Sequence, residues 1–247
     1  MSRRVVLVTG ALTGIGRATA MAFARQHACL IISGRRDPLG QDFAKELRRV
    51  SAEVEYIRAD VRHEDEVRGL IDNTLQRFGR LDVAVNSAGA EGRLASLVTQ
   101  TTESYASVFD TNVLGVLLSM KHELRAMLAQ RSGCIVNLSS VLGHTGAPGA
   151  AVYAASKFAV EGLTRCAALE AADAGVRVIA VAPGPVDTAM FQRFTGTPER
   201  KASLVASVPL KRLARPEEVA ETIVFLSSDK AQYITGQSFG VDGGARA

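Results

Sequence analysis

Val5-Val6-Leu7-Val8-Thr9-Gly10-Ala11-Leu12-Thr13-Gly14-Ile15-Gly16 is the stretch on which the reading of the whole chain turns. An unbroken apolar run suits a strand covered on both faces, as in a parallel sheet. The glycines after it permit a tight turn and let backbone approach a pyrophosphate, which would sit on the positive N-terminal end of the helical run from Arg17. The turn alone serves equally well as a structural strand-to-helix connection. Its place after a buried strand, with a second strand to follow, is what points to a dinucleotide. Arg3-Arg4 ahead of the apolar run imitates a secretory leader, but the run stops after Val8. That falls short of the ~7–15 residues such a leader needs, so a cytoplasmic protein is expected.

Outward from that stretch, β-branched runs alternate with helical patterns. Strands are expected at 4–9, 28–33, 54–59, 81–86, 134–139, 177–182 and 237–241. Between them, Val67, Leu70, Ile71, Leu75 and Phe78 follow helical spacing, with Glu64, Asp65 and Glu66 placing acid in the first turn. Asp37 reads as an N-cap with Pro38 behind it, and Gly175 as the stop of the helix holding Tyr153 and Lys157. The expected fold is one doubly wound, Rossmann-type α/β domain over residues 1–247, a seven-stranded parallel sheet flanked by helices. The stretch 183–209 reads as a long irregular loop, of a length that is uncommon unless functional.

Composition removes several classes of function. The 247 residues are 47% hydrophobic and 22% charged, a globular balance. No apolar run approaches the ~20 residues of a membrane span. The net charge of +4 is spread over single or paired basic residues interleaved with acids, and tryptophan is absent, so nucleic acid is not an expected partner. Cys29, Cys134 and Cys166 have no metal or disulfide spacing and read as buried free thiols of a reducing compartment. His27, His63, His122 and His144 are scattered, so no metal site is expected.

Tyr153 and Lys157 are four residues apart and share a helix face. A free tyrosine, with a pKa near 10, is a poor base at neutral pH, and a neighbouring ammonium stabilises its phenolate. Such a pair is also common on an ordinary solvated helix. Ser140, thirteen residues before Tyr153 at the end of a strand, changes its weight.

The T-G-x-x-x-G-x-G spacing from Thr9 to Gly16, with Ser140, Tyr153 and Lys157, resembles the short-chain dehydrogenase/reductase family in its compact form. The resemblance covers nearly the whole chain. It implies a catalytic set in which Ser140 hydrogen-bonds the substrate oxygen and Tyr153 transfers the proton. Lys157 would bind the nicotinamide ribose and lower the tyrosine's pKa, and Asn112 would kink a long helix and hold a relay water. For the cofactor it implies contacts at Gly10, Thr13, Gly14, Ile15 and Gly16, at Asp60 and Val61 beside adenine, and at Asn86, Ala88 and Gly89. It adds Tyr153 and Lys157, and Pro183, Gly184, Val186 and Thr188 beside the carboxamide. Ser87 departs from the family's N-N-A-G at that point, and Val241-Asp242-Gly243-Gly244 matches its usual tail.

The resemblance also bears on cofactor and substrate. Gly34 stands where NAD-preferring members carry an acid, and Arg35 and Arg36 follow, which favours NADP(H) over NAD(H). Asp37 keeps NAD(H) open, and Thr13 lacks the basic character many NADP-dependent relatives show. The implied reaction interconverts a secondary alcohol and a ketone. The 183–209 loop would form much of the pocket, with Ser140, Leu142, His144, Tyr153, Pro185 and Met190, and with Phe191 and Phe194, around a small or mainly apolar substrate. His144 reads equally well as a solvated loop residue. Two alternatives stay open, a 3-oxoacyl-thioester reductase and a non-catalytic dinucleotide sensor. Against the first, Arg131 would supply only half of a basic carrier-docking patch, since Glu170 and Asp173 lie where the rest belongs. Against the second, such sensors typically lose the Tyr or the Lys. A homotetramer or homodimer built on the helices at 102–130 and 151–174 is expected.

Overall fold

A computed structural model describes residues 3–51 and 53–247. Its strands are β1 (Val5–Thr9), β2 (Cys29–Gly34), β3 (Val54–Arg58), β4 (Val83–Asn86), β5 (Gly133–Leu138), β6 (Val176–Pro183) and β7 (Ser238–Val241). They form one seven-stranded parallel sheet in the order β3-β2-β1-β4-β5-β6-β7. The helices are α1 (Gly14–Arg25), α2 (Asp37–Arg48), α3 (Glu64–Phe78), α4 (Thr102–Phe109), α5 (Gly115–Gln130), α6 (Ala151–Ala171), α7 (Ala189–Thr195), α8 (Pro198–Ser207) and α9 (Pro216–Ser227).

The inner strands β1, β2, β4, β5 and β6 are largely apolar and buried on both faces, while the edge strands β3 and β7 are partly exposed, and alternate side chains go to opposite layers. Val6 and Val8 join Phe23, Phe43, Leu47 and Ile223 under α1, α2 and α9. Leu7 joins Leu70, Met120, Ile135 and Val160 under α3, α5 and α6. Each such fully buried aliphatic side chain stabilises the fold by about 1.5–3 kcal/mol. Strand order reverses between β1 and β4, and their C-terminal ends open the crevice where doubly wound sheets bind ligands. Among the described residues no helix is long and apolar enough to cross a membrane.

Three expectations need correction. The stretch 183–209 is not irregular, since it holds α7 and α8. Thr188 Oγ1 accepts the Phe191 N–H and Thr197 Oγ1 accepts the Arg200 N–H, each capping one helix, with Pro198 in the first turn of α8. Asp37 is the first residue of α2 rather than its cap; Arg36 holds the cap position and makes no side-chain cap bond. The cysteines are free, but Cys134 is buried, Cys29 partly so and Cys166 exposed, because Cys166 faces outward on α6.

A buried polar chain runs beneath the sheet. Asn86 Nδ2, at the end of β4, donates to Glu123 Oε2 at 2.9 Å and to Asn137 Oδ1 at 3.0 Å, and Asn137 Nδ2 donates to Thr164 Oγ1 at 3.0 Å. Glu123 is fully buried on the same stripe of α5 as Val116, Met120 and Met127. Burial pushes its carboxyl up to about 7, against the Asn86 hydrogen bond. Glu123 Oε1 and Asn86 Oδ1 are both buried without a hydrogen-bond partner, which makes a charged Glu123 costly there. The unfolded chain loses the Glu123 proton near its ordinary 4.5, so between there and about 7 the native state binds more protons and stability falls as pH rises. Urea unfolding across this window is expected to show a loss on the order of 2–3 kcal/mol. Glu123→Gln should flatten that slope.

Candidate active site

The crevice begins with the glycine turn. Gly10 has φ +64°, and a Cβ there would lie 2.6 Å from the Ala88 nitrogen, so the loops after β1 and β4 touch through bare backbone. A Cβ on Gly16 would collide with the Gly10 carbonyl oxygen. Thr13, the cap residue of α1, makes no side-chain cap bond, which leaves the first-turn N–H groups of α1 facing the crevice. On the far side, a Cβ on Gly14 would meet Thr188 Cγ2 at 3.2 Å. The glycine turn and Thr188 thus lie side by side at the crevice, where the backbone N–H groups of the turn are suited to a dinucleotide phosphate.

Beyond β2 the cleft is lined by charge. A Cβ on Gly34 would reach Leu12 Cδ1 at 2.7 Å, so a larger residue where Gly34 stands would require the Leu12 side chain to move. Arg35 lies 3.7 Å from Asp60, which also holds Arg62 at 2.6 Å. The Arg62 guanidinium holds the Asp60 carboxyl down at about 2. Val61 packs with Val67, Leu118 and Ala88. The Asn86 side chain turns into the core, so only its backbone faces the cleft.

Asn112 organises the centre. It lies in a single π-helical turn, Asp110–Leu114, joining α4 to α5. Asn112 Oδ1 accepts the Ala90 N–H at 2.8 Å, and Nδ2 donates to the Ala90 carbonyl at 2.9 Å and to Ser156 Oγ at 3.0 Å. Ser156 Oγ in turn donates to the Tyr153 carbonyl at 2.7 Å. One amide therefore joins the kinked helix, the loop after β4 and the turn of α6 that carries Tyr153.

Lys157, one turn further along α6, is buried and donates from Nζ to the Leu138 carbonyl at 2.8 Å. Its ammonium sits 5.7 Å from the centre of the Tyr153 ring, and a Cβ on Gly89 would come within 3.9 Å of it. Burial pushes the ammonium down to about 8, against the Glu161 carboxylate, so it stays cationic at neutral pH. Tyr153 keeps part of its ring exposed, but burial around its hydroxyl pushes it up to about 12, opposed by Ser140 and reinforced by the charge of Glu91. Ser140 Oγ accepts the Leu142 N–H at 3.1 Å, fixing the start of the loop after β5.

Other expected pocket residues divide. Phe194 packs against Tyr153 with ring centres 6.1 Å apart. Pro185 is held through its carbonyl by the Ala214 N–H, and Met190 lies in the first turn of α7. His144 Nε2 instead meets Glu161 Oε1 and Ser238 Oγ, each at 3.0 Å. Arg131 donates to the Asp173 carbonyl at 2.9 Å. The partners Glu91–Arg193 and His144–Glu161 were not legible, because they sit in no motif and only the folded chain brings Glu91 to α7 and His144 to α6. Among the described residues no cluster of His, Cys, Asp and Glu is arranged to hold a metal.

A family model described as enoyl-(acyl carrier protein) reductase matches residues 10–246. The chain is 42% identical to a cis-4-hydroxycyclohexanecarboxylate dehydrogenase of Sinomonas cyclohexanicum, over 100% of this chain and 98% of that one. It is 39% identical to a 3-oxoacyl-[acyl-carrier-protein] reductase of Thermotoga maritima, over 98% and 97%. A solved tyrosine-to-phenylalanine variant of ElxO with NADPH bound superposes with a TM-score of 0.93 at 32% identity, covering 99% of each chain.

The glycine cradle gives a direct check. Gly16→Ala is expected to weaken nicotinamide dinucleotide binding by at least about tenfold in a fluorescence titration, because its Cβ displaces the Gly10 backbone. Gly69→Ala, whose Cβ meets nothing within 4 Å on α3, should leave binding unchanged and raise stability by about 0.5–1 kcal/mol.

Proposed function

The chain belongs to the short-chain dehydrogenase/reductase family, and from that premise we propose that it is an NAD(P)-dependent oxidoreductase interconverting a secondary alcohol and a ketone, with NADP(H) preferred. The observation that carries this reading is the convergence of Ser140, Tyr153 and the anchored Lys157 beside a cradle of backbone donors.

In the reducing direction Tyr153 Oη gives its proton to the carbonyl oxygen, while the Ser140 hydroxyl hydrogen-bonds that oxygen and orients it. Reversal makes Tyr153 the base that takes the alcohol proton. Lys157 stabilises the phenolate and would bind the ribose hydroxyls of the cofactor. Asn112 holds Ala90 and Ser156, which keeps the loop after β4 in register with Tyr153. The glycine turn, Gly89, Lys157, Val186 and Thr188 would hold the cofactor, which when bound would supply the hydride for reduction and accept it in oxidation. Arg35 and Arg36, exposed beyond Gly34, would receive the 2′-phosphate of NADP(H).

For the substrate we infer a small, mainly apolar molecule bounded by Leu142, Pro185, Met190 and Phe194. The relative named for cis-4-hydroxycyclohexanecarboxylate makes cyclic secondary alcohols the first to try. Docking of an acyl carrier is less well supported, because Arg131 is engaged with the backbone beside Asp173. The outward Leu117 and Leu169 of α5 and α6 suit a homo-oligomer built on those helices.

Initial rates with cyclic and aliphatic alcohols, ketones and 3-oxoacyl thioesters, in all four nicotinamide forms, test the reading. Tyr153→Phe is expected to lower turnover by about 10²–10⁴-fold while still binding cofactor. Full turnover in that variant would discard the mechanism. Arg35→Ala should cut kcat/KM with NADP(H) by roughly tenfold or more and leave NAD(H) nearly unaffected.

A further inference from the structure

Glu161 is a buried acid that the proposed reaction leaves unused. It stands on α6 one turn beyond Lys157, and its Oε1 is the meeting point of three elements. Ser238 Oγ of β7 donates to it at 2.8 Å. His144 Nε2, from the loop after β5, lies 3.0 Å from that oxygen and 3.0 Å from Ser238 Oγ. A carboxylate only accepts, and Ser238 spends its hydrogen on the same oxygen, so the network places a hydrogen on Nε2. One ring nitrogen faces both partners, whereas a proton relay needs acid and hydroxyl on opposite ring nitrogens. The cluster is therefore an anchor. The other carboxylate oxygen, Oε2, has the Arg165 guanidinium at 3.7 Å.

What it anchors is the turn that begins at Ser140. Ser140 caps a single 3₁₀ turn, Val141–Gly143, and His144 closes it. Ser140 Oγ accepts the Leu142 N–H at 3.1 Å, the Ser140 carbonyl accepts the Gly143 N–H at 2.8 Å, and the Val141 carbonyl accepts the His144 N–H at 3.0 Å. At the near end the sheet fixes the chain, since the Ser139 N–H donates to the Val181 carbonyl at 2.8 Å. Beyond the far end Thr145 and Gly146 are exposed, so the His144 ring is what fastens that end to the body of the domain. Between the two ends Gly143 lies close on α6, where a Cβ would come within 3.1 Å of the Lys157 carbonyl oxygen. The segment 189–207 offers no comparable support, since α7 buries only Thr195 and α8 buries nothing.

We propose that Glu161 is a positioning residue: by gripping His144 it fixes the far end of the turn and holds the Ser140 hydroxyl in register with Tyr153 and Lys157, which ride on the same helix. His144 then acts as a strut rather than as a wall of the substrate pocket. A carboxylate or amide oxygen at position 161 meets this need and a hydrocarbon does not, because two donors converge on Oε1. A displacement of the Ser140 hydroxyl by about 1 Å costs on the order of a hundredfold in rate. The inference rests on Ser140 and Tyr153 as the groups that handle the substrate oxygen.

The Leu142 N–H ends on Ser140 Oγ, so its hydrogen exchange, followed by NMR, reports the turn without any turnover. In Glu161→Ala and in His144→Ala that exchange is expected to quicken by about tenfold or more. The kcat for alcohol oxidation should fall by about tenfold to a hundredfold, with the dinucleotide Kd moved by no more than about threefold. Glu161→Gln and His144→Gln, which return an acceptor oxygen and a donor nitrogen to these places, should recover most of both losses. Unchanged Leu142 exchange in the alanine variants overturns the proposal. So does a Glu161→Gln variant as impaired as Glu161→Ala, which would assign the effect to the charge beside Lys157. Should Glu161→Ala fail to fold, His144→Ala decides alone, because that ring is partly exposed. An active wild type with unmoved variants overturns the positioning role only. An inactive wild type overturns the oxidoreductase reading, and the exchange result then stands by itself.

Discussion

Everything at the centre of this molecule depends on one side-chain amide. Asn112 satisfies both backbone groups of Ala90, and a buried backbone group left unpaired costs about 1–3 kcal/mol. It reaches them only because the helix from Thr102 to Gln130 is interrupted by a π-helical turn at Asp110–Leu114. That turn re-aims the side chain from its helical direction into the space between β4 and α6, where it also finds Ser156. The kink, the loop and the first turn of α6 are thus a single hydrogen-bonded unit. The sheet supplies the frame around it, and the amide sets the registration within that frame.

Most of the frame was legible in the chain, for a clear physical reason. A parallel sheet covered on both faces needs continuous apolar strands, and a run such as Val5–Val8 has few other uses. Each expected strand lies within about two residues of the one observed. The helix capping in 183–209 was also written in the sequence, at Thr188 and at Thr197-Pro198, but the density of Pro and Gly there obscured it.

The site divides along another line. The glycine turn, Ser140, Asn112, Tyr153 and Lys157 stand at fixed spacings on adjacent elements, so a linear pattern can report them. Glu91 and Arg193 meet across 102 residues, and Glu161 meets His144 and Ser238 from three elements, so no local pattern could have joined them. His144 shows the cost, since its position near Ser140 says nothing about which way the ring turns. Glu123 could have been found, because Val116, Met120 and Met127 mark the stripe that buries it. An acid on an apolar stripe is a signal in itself.

The slight attachment of α7 and α8 has a consequence for how such a chain can change over generations. Nearly all of the apolar core belongs to the sheet and to the helices on its two faces, and α8 contributes no buried residue. Substitutions in 189–207 therefore fall where they cost little folding free energy, yet where the proposed substrate pocket lies. Mutation can explore new pockets there without first requiring a more robust core, while the proposed proton-transfer groups stay on elements packed against the sheet. Descendants of such a chain would be expected to diverge in what they bind well before they diverge in shape.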